Sequence, residues 1–193
     1  MSPDAVACWN RAGKTEVRPG SSSTRGRSFT AVEELDDEDR DVVAHLGYAL
    51  ARAQLFEFGM TKLLEVQRHD LRVPLDERWH EIKKWLKLTA GQLRSELGLT
   101  SAISDDGRRL VDRRNQVVHQ TWLAYQTSRG GTGGASAPAD YVRWLEEQAE
   151  LFGHAYNGLM ALVEARRAHP SQAFADVAEA TWREHVPEPL KPL

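Results

Sequence analysis

The fold class is decided by residues 42–63, whose sequence is VVAHLGYALARAQLFEFGMTKL. Apolar residues recur here at intervals of three and four, the spacing that places side chains on one face of an α-helix. The set is Val42, Leu46, Ala49, Ala53, Phe56, Met60 and Leu63. Asp36 and Asp37 suit the beginning of the helix, because acidic side chains bind the free amides of a first turn. The pattern predicts one long amphipathic helix from Asp36 to Arg68.

The helical period recurs further along the chain, and no stretch shows strand alternation. Pro74 interrupts the pattern, and Gly98 suits a left-handed helix end. Ser104-Asp105-Asp106 offers N-cap side chains for a later helix. The predicted helices are 36–68, 75–97, 106–125, 139–168 and a short one near 171–184. We therefore expect an all-α protein, an antiparallel four-helix bundle with a short extra C-terminal helix and a disordered N-terminal tail.

Three regions follow from this division. Residues 1–30 are small and polar without an apolar period and predict a flexible tail, residues 31–168 contain the bundle, and residues 169–193 contain the short helix and a Pro-rich tail. The glycine-rich segment 128–138 predicts a surface loop and is a candidate mobile lid.

Composition limits the kinds of ligand and the cell compartment. The net charge of −3 gives no overall attraction to nucleic acid, so RNA contact requires a local cluster, as at Arg108, Arg109, Arg113 and Arg114. Cys8 is the only cysteine, which favours a reducing compartment and excludes a cysteine-rich metal site. No apolar run reaches the length of a membrane span, so we expect no membrane contact and a cytoplasmic location. No metal or cofactor is predicted.

The run Arg114-Asn115-Gln116-Val117-Val118-His119 carries the chemistry. An Arg and a His at this spacing are a weak signal alone, since Arg40 and His45 show it too. The context is more specific, because Asn115 directly follows the arginine and the run lies late in a helical pattern.

In these features the chain resembles the HEPN superfamily, helical bundles with an Arg-Asn-x-x-x-His motif on a late helix. The resemblance covers roughly residues 36–168. It implies a metal-independent endoribonuclease, a toxin or phage-defence effector, that acts as a homodimer with motif residues of both subunits in one cleft. It assigns catalysis to Arg114 and His119, and it places a supporting acidic residue of an early helix at Glu57.

The residue types suit cleavage of RNA by its own 2′-hydroxyl. An imidazole such as that of His119 exchanges protons near neutral pH, and the guanidinium of Arg114 can bind two phosphate oxygens. Asn115 would orient the imidazole or bind phosphate. On an ideal helix Arg114 and His119 project roughly 140° apart, which suits a site completed by a second subunit.

Other positions on the same predicted helix support this site. Asp112, Asn115, His119 and Trp122 share one stripe at helical spacing, so Asp112 is a supporting residue and Trp122 a candidate to stack on an RNA base. HEPN toxins that a nucleotidyltransferase silences often carry Tyr two residues after the His. Thr121 occupies that position here, which argues against tyrosine-directed silencing, although a threonine hydroxyl could in principle accept a nucleotide.

Several alternatives remain open at this point. The protein could be a non-catalytic HEPN-like module that binds RNA, a nucleotide or a protein, or a structural helical domain or antitoxin. Glu57 could be a salt-bridge partner of Arg113 or Arg114, and Arg108, Arg109 and Arg113 could form a solvated helix face. Trp79, Trp85 and Trp144 lie at apolar spacing and predict packing rather than base stacking.

Overall fold

The computed structural model describes residues 35–69, 73–130, 137–169, 172–186 and 190. Within these ranges the chain forms seven helices and no strand, which confirms the all-α prediction. The helices are α1 (Asp37–Arg68), α2 (Leu75–Trp85), α3 (Ala90–Leu97), α4 (Ser101–His119), α5 (Thr121–Gly130), α6 (Pro138–Ala168) and α7 (Gln172–His185). None of these helices has both the length and the apolar content that crossing a membrane requires. The predicted tail 1–30 lies outside the described residues.

The long helices α1 and α6 pack against each other along the core. Asp36 caps α1 as predicted, its carboxylate accepting a hydrogen bond from the backbone N–H of Asp39 at 2.8 Å. The rings of Phe56 and Phe152 meet at a centroid distance of 6.1 Å. Gly59 permits the close approach, since a Cβ at that position would lie 3.0 Å from Leu159 Cδ1. The apolar period of residues 42–63 therefore faces α6.

The helix predicted over 75–97 is two helices. α2 ends at Trp85, and α3 begins after Thr89, which forms a capping box with Gln92. The backbone N–H of Thr89 donates to Gln92 Oε1 at 2.9 Å, and the N–H of Gln92 donates to Thr89 Oγ1 at 3.3 Å. These bonds satisfy the backbone amides of Thr89 and Gln92, which in a continuous helix would donate to backbone carbonyls of the preceding turn. Gly98 ends α3 with a φ of 56°, as the sequence predicted.

The helix predicted over 106–125 is also two helices, and its predicted beginning is wrong. α4 begins at Ser101 after the N-cap residue Thr100, so Asp106 lies inside the helix rather than at its cap. The helix ends at His119, and α5 begins at Thr121. The motif therefore occupies the last turns of α4 instead of the middle of a helix.

The start of the predicted loop 128–138 is helical, since α5 continues to Gly130 and α6 begins at Pro138. Residues 131–136 of that loop lie outside the described residues.

Of the three tryptophans that the sequence predicts to pack in the protein interior, two do so. Trp144 is buried and Trp85 packs against the core, whereas Trp79 is 42% exposed.

The C-terminal helix α7 packs into the same core as the long helices. Trp182 is fully buried against Gly158 of α6, where a Cβ would lie 2.9 Å from the indole ring. Asp106 of α4 is buried and accepts hydrogen bonds from Trp182 Nε1 at 3.1 Å, Arg183 Nη1 at 2.6 Å and the backbone N–H of Leu190 at 3.0 Å. One carboxylate therefore binds α4 to α7 and to the chain beyond it.

Candidate nucleic-acid site at the end of α4

The geometry of the candidate site begins with an ion pair between α4 and α1. The Nε of Arg114 donates to the carboxylate of Glu57, and both side chains are about one quarter exposed, at 24% and 26%. The two residues lie 57 positions apart, so the helix packing creates the contact. Of the two salt-bridge partners that the sequence left open for Glu57, the structure pairs it with Arg114.

Asn115 holds the other side of the guanidinium. Arg114 Nη1 donates to Asn115 Oδ1 at 3.2 Å, while Asn115 itself is exposed. No hydrogen bond of Arg114 Nη2 occurs within the part of the chain that the structure describes. The guanidinium is thus fixed along one edge by Glu57 and keeps two N–H donors for a ligand such as a phosphate.

His119 is the last residue of α4 and is exposed. Among the described residues, its imidazole makes no hydrogen bond or ion pair. Asp112, Asn115 and Arg108 are exposed at positions that share its side of the helix. Arg114 projects about 140° away from it on an ideal helix. One copy of α4 therefore does not direct both candidate catalytic side chains toward one point.

The four predicted RNA-binding arginines do not form one patch. The side chains of successive residues on a helix point in directions about 100° apart around its axis. The arginines at positions 108, 109, 113 and 114 therefore spread around α4. Arg108 is 57% exposed and lies 3.8 Å from Asp105, whereas Arg109 is half-buried. Arg113 is half-buried and donates to Gln148 of α6 at 3.0 Å. Burial lowers the pKa of Arg113, although the charge of Glu147 opposes that shift. Arg113 is therefore a packing residue rather than part of a solvated face.

The residues after the motif also differ from the sequence prediction. Thr121 is fully buried, and its hydroxyl donates to the backbone carbonyl of Gln116 at 3.1 Å, so it is not accessible as a nucleotide acceptor. Trp122 belongs to α5, is half-buried, and lies 5.6 Å from the ring of Tyr125. Trp122 packs against the core whereas His119 is exposed, so the two side chains do not form one exposed stripe.

An exposed apolar stripe on α1 was not predicted. It consists of Tyr48, Ala51, Leu55 and Phe58, with Tyr48, Leu55 and Phe58 exposed by 50%, 38% and 43%. We call it the α1 stripe. Its spacing of three, four and three is the a/d spacing of helices that pair side by side. The spacing of the α1 stripe is visible in the sequence. The apolar residues of the buried face lie at the same intervals on the same helix, so the sequence alone does not separate the two series.

The α1 stripe lies next to the motif region. Phe58 directly follows Glu57, the partner of Arg114. Val118 of α4, one helical turn beyond Arg114, is also 38% exposed. Large apolar side chains in solvent beside a polar cluster are typical of a contact surface.

The described residues contain no group of three or more His, Cys, Asp or Glu side chains placed to hold a metal ion. Comparisons of the chain with protein-family models, with curated proteins and with solved structures found no match.

Proposed function

We propose that this protein is a metal-independent endoribonuclease of the HEPN type, a toxin or phage-defence effector that cleaves RNA. The observation that carries the proposal is the fixed guanidinium of Arg114, which Glu57 and Asn115 hold while its Nη2 makes no hydrogen bond to any other described residue. The neighbouring exposed imidazole of His119 supplies the group that can move a proton.

The proposed reaction needs no external reactant. The 2′-oxygen of the RNA attacks the adjacent phosphorus and loses its proton, while the 5′-oxygen leaves with its bonding electrons and gains a proton. The products are a 2′,3′-cyclic phosphate and a 5′-hydroxyl. His119 acts as the general base or acid, Arg114 stabilises the charge of the pentacoordinate phosphate, and Asn115 donates to it through its amide. Glu57 positions Arg114, and Arg108 and Asp112 flank the exposed side of His119.

A second copy of the chain supplies the other half of the site in this proposal. An antiparallel pair of α1 helices related by a two-fold axis near residue 53 places each Tyr48 opposite Phe58 and each Ala51 opposite Leu55. Residue 53 is also close to the middle of the 32-residue helix, so the helices would overlap along their whole length. The α1 stripe is therefore self-complementary, with Ala51 facing Leu55 and the aromatic rings of Tyr48 and Phe58 facing each other.

The charges of α1 also favour antiparallel pairing. Its first turn carries Asp37, Glu38 and Asp39, and its last turn carries Arg68. A two-fold axis at the middle brings the acidic end of each helix to the basic end of its partner. The two motif regions would then lie on one dimer, and the proposal requires His119 of one copy and Arg114 of the other to contact one phosphate.

We expect Leu55→Glu to convert the protein to a monomer, because the interface would bury each new carboxylate against Ala51 of the second copy without a partner. Light scattering during gel filtration measures the mass. RNA cleavage should fall at least tenfold in the same sample. Leu86→Glu is the matched control, since Leu86 is 53% exposed as the C-cap residue of α2 and lies outside the stripe. A dimeric Leu55→Glu variant would contradict this interface.

We expect Arg114→Lys to lower the rate of RNA cleavage about 100-fold, the usual effect of losing a donor that stabilises transition-state charge. Lysine keeps the charge but cannot bind Glu57 and phosphate at the same time in a planar fork. Arg143→Lys is the matched control, because Arg143 is 68% exposed on α6 and lies outside the motif. Equal activity of the Arg114 and Arg143 variants would remove Arg114 from the proposed mechanism.

The competing proposal is a non-catalytic HEPN-like module that uses the same side chains to bind RNA, a nucleotide or a protein. It is favoured by the exposed α1 stripe, which serves a partner protein as well as a second copy. It predicts Arg114-dependent binding without cleavage products.

The leading proposal also includes the arrangement of the helices, the location of the protein and its regulation. The helices would form a HEPN-like four-helix bundle with α7 added, and the protein would act in the cytoplasm. An antitoxin that covers the motif would silence it. Silencing through Thr121 is excluded from the proposal, because that hydroxyl is buried.

A further inference from the structure

The helix α2 is amphipathic, but the bundle covers its apolar face only in part. Leu75, Trp79, Ile82 and Leu86 recur at intervals of four, three and four, which places them on one side of the helix. Only Ile82 is buried, whereas Leu75, Trp79 and Leu86 are exposed by 54%, 42% and 53%. We call these three exposed residues the α2 row. A single exposed leucine is ordinary, but a row of large apolar side chains on one helix face is typical of a contact surface.

The contacts of α2 with α1 show where the α2 row lies. Arg78 donates to the buried carboxylate of Glu65, and Glu81 lies 3.1 Å from His69 after the end of α1. Arg78 and Glu81 therefore mark the side of α2 that faces α1. On an ideal helix the α2 row lies about 60–100° around the axis from Arg78, beside that contact rather than opposite it. A narrow rod that lies alongside α2 can reach the row.

Positive charge lies next to the α2 row. Lys83 and Lys84 belong to the last turn of α2 and Lys87 follows it, and all three are exposed. Within the described part of the chain, none of the three forms a salt bridge. Lys83 Nζ lies 5.6 Å from the centroid of the Trp79 ring, so this charge borders the row directly. The helix dipole favours cations at this end, but it does not cover the apolar side chains beside them.

We propose that the α2 row docks an acidic amphipathic helix of a partner protein. The apolar side chains of that helix would cover the row, and its carboxylates would meet Lys83 and Lys87. The spacing of four, three and four is the one with which two helices pair side by side. The inference does not depend on RNA cleavage.

The other occupants fit the α2 row less well. RNA would use the lysines and stack on Trp79, but it would leave Leu75 and Leu86 uncovered. A flat bilayer would first meet the exposed polar side chains of Asp76, His80 and Lys83, which an ideal helix turns away from Arg78. Residues 1–34 contain five basic and four acidic side chains, so this segment of the chain lacks the excess negative charge that the lysines require.

The test measures binding of the full chain to two stapled helical peptides by fluorescence anisotropy. Both peptides carry leucines at the a and d positions of two heptads, and the flanking positions are glutamates in one and lysines in the other. We expect the acidic peptide to bind at least tenfold more tightly than the basic one. Lys83→Glu combined with Lys87→Glu should reverse that preference, because both charges flank the α2 row. Equal affinity for the two peptides, no saturable binding of the acidic one, or an unchanged preference in the double variant would overturn the proposal.

A variant of the α2 row and a matched control locate the site. Leu75→Ser should weaken binding of the acidic peptide at least tenfold and leave the melting temperature of the free protein unchanged, because Leu75 is exposed. Leu123→Ser should leave binding unchanged, since Leu123 is 68% exposed on α5, outside the row. Equal affinity of these two variants would place the peptide elsewhere and contradict the proposal.

The same variants separate the other occupants. Single-stranded RNA and vesicles of phosphatidylserine are titrated into the wild type and Leu75→Ser, and we expect no difference between the two proteins. A loss of RNA or vesicle binding in Leu75→Ser would assign the α2 row to that ligand instead. Leu86→Glu should keep the mass of the wild type in solution, and a lower mass would assign the row to a second copy of the chain.

Discussion

Replacement of His119 by alanine should lower the rate of RNA cleavage by about 100-fold to 10,000-fold, the usual contribution of a general acid or base. His119 is exposed at the last position of α4 and makes no hydrogen bond or ion pair with other described residues, so its loss should leave folding unchanged. The fall should therefore appear in the turnover rate, while RNA affinity changes little. Single-turnover cleavage of a labelled RNA measures the rate directly.

His154→Ala is the matched control for this prediction. His154 is also an exposed histidine on a helix, but it lies on α6, outside the motif. It should cleave RNA at the wild-type rate. Full activity in the His119→Ala variant would contradict the assignment of His119, whatever the result with Arg114.

Replacement of Asp106 by alanine should lower the free energy of unfolding by about 3–5 kcal/mol, the usual cost of breaking a buried ion pair. Asp106 is 1% exposed and accepts bonds from Trp182, Arg183 and Leu190. Alanine would leave the buried indole N–H without this acceptor and the partly buried guanidinium of Arg183 without its carboxylate. Urea denaturation followed by circular dichroism gives the change.

The adjacent residue supplies the control for that measurement. Asp105 is 64% exposed and lies 3.8 Å from Arg108, so Asp105→Ala should change stability by about 0.5 kcal/mol or less. A loss below about 1 kcal/mol in Asp106→Ala would show that the Asp106 carboxylate contributes little to holding α7 against α4.

The sequence predicted the features that depend on nearby residues. Asp36 caps α1 and Gly98 ends α3, because a cap needs only the side chain and the amides of one turn. The breaks after Trp85 and at Gln120 were missed, since the apolar period continues across both. At the first break, the sequence contains a local signal, the Thr89–Gln92 capping box. At the second, the buried Thr121 hydroxyl bonds a carbonyl five residues earlier.

Contacts between distant residues explain what sequence periodicity could not show. Asp106 resembled a cap in the sequence, but its partners lie 76 to 84 positions away on α7 and beyond. Arg113 belonged to a run of charge, but α6 supplies Gln148 to it from 35 positions away. The pairing of Arg114 with Glu57 could be stated only as one of two options, because the choice depends on how α4 rotates against α1.

The central claim is that the motif of α4 cleaves RNA without a metal. The most direct test incubates purified wild-type protein and the His119→Ala variant with labelled RNA in excess chelator and identifies the ends of every fragment. The account predicts fragments with 2′,3′-cyclic phosphate and 5′-hydroxyl ends from the wild type, and almost none from the variant. Intact RNA with the wild type, or the same fragments from both proteins, would contradict it.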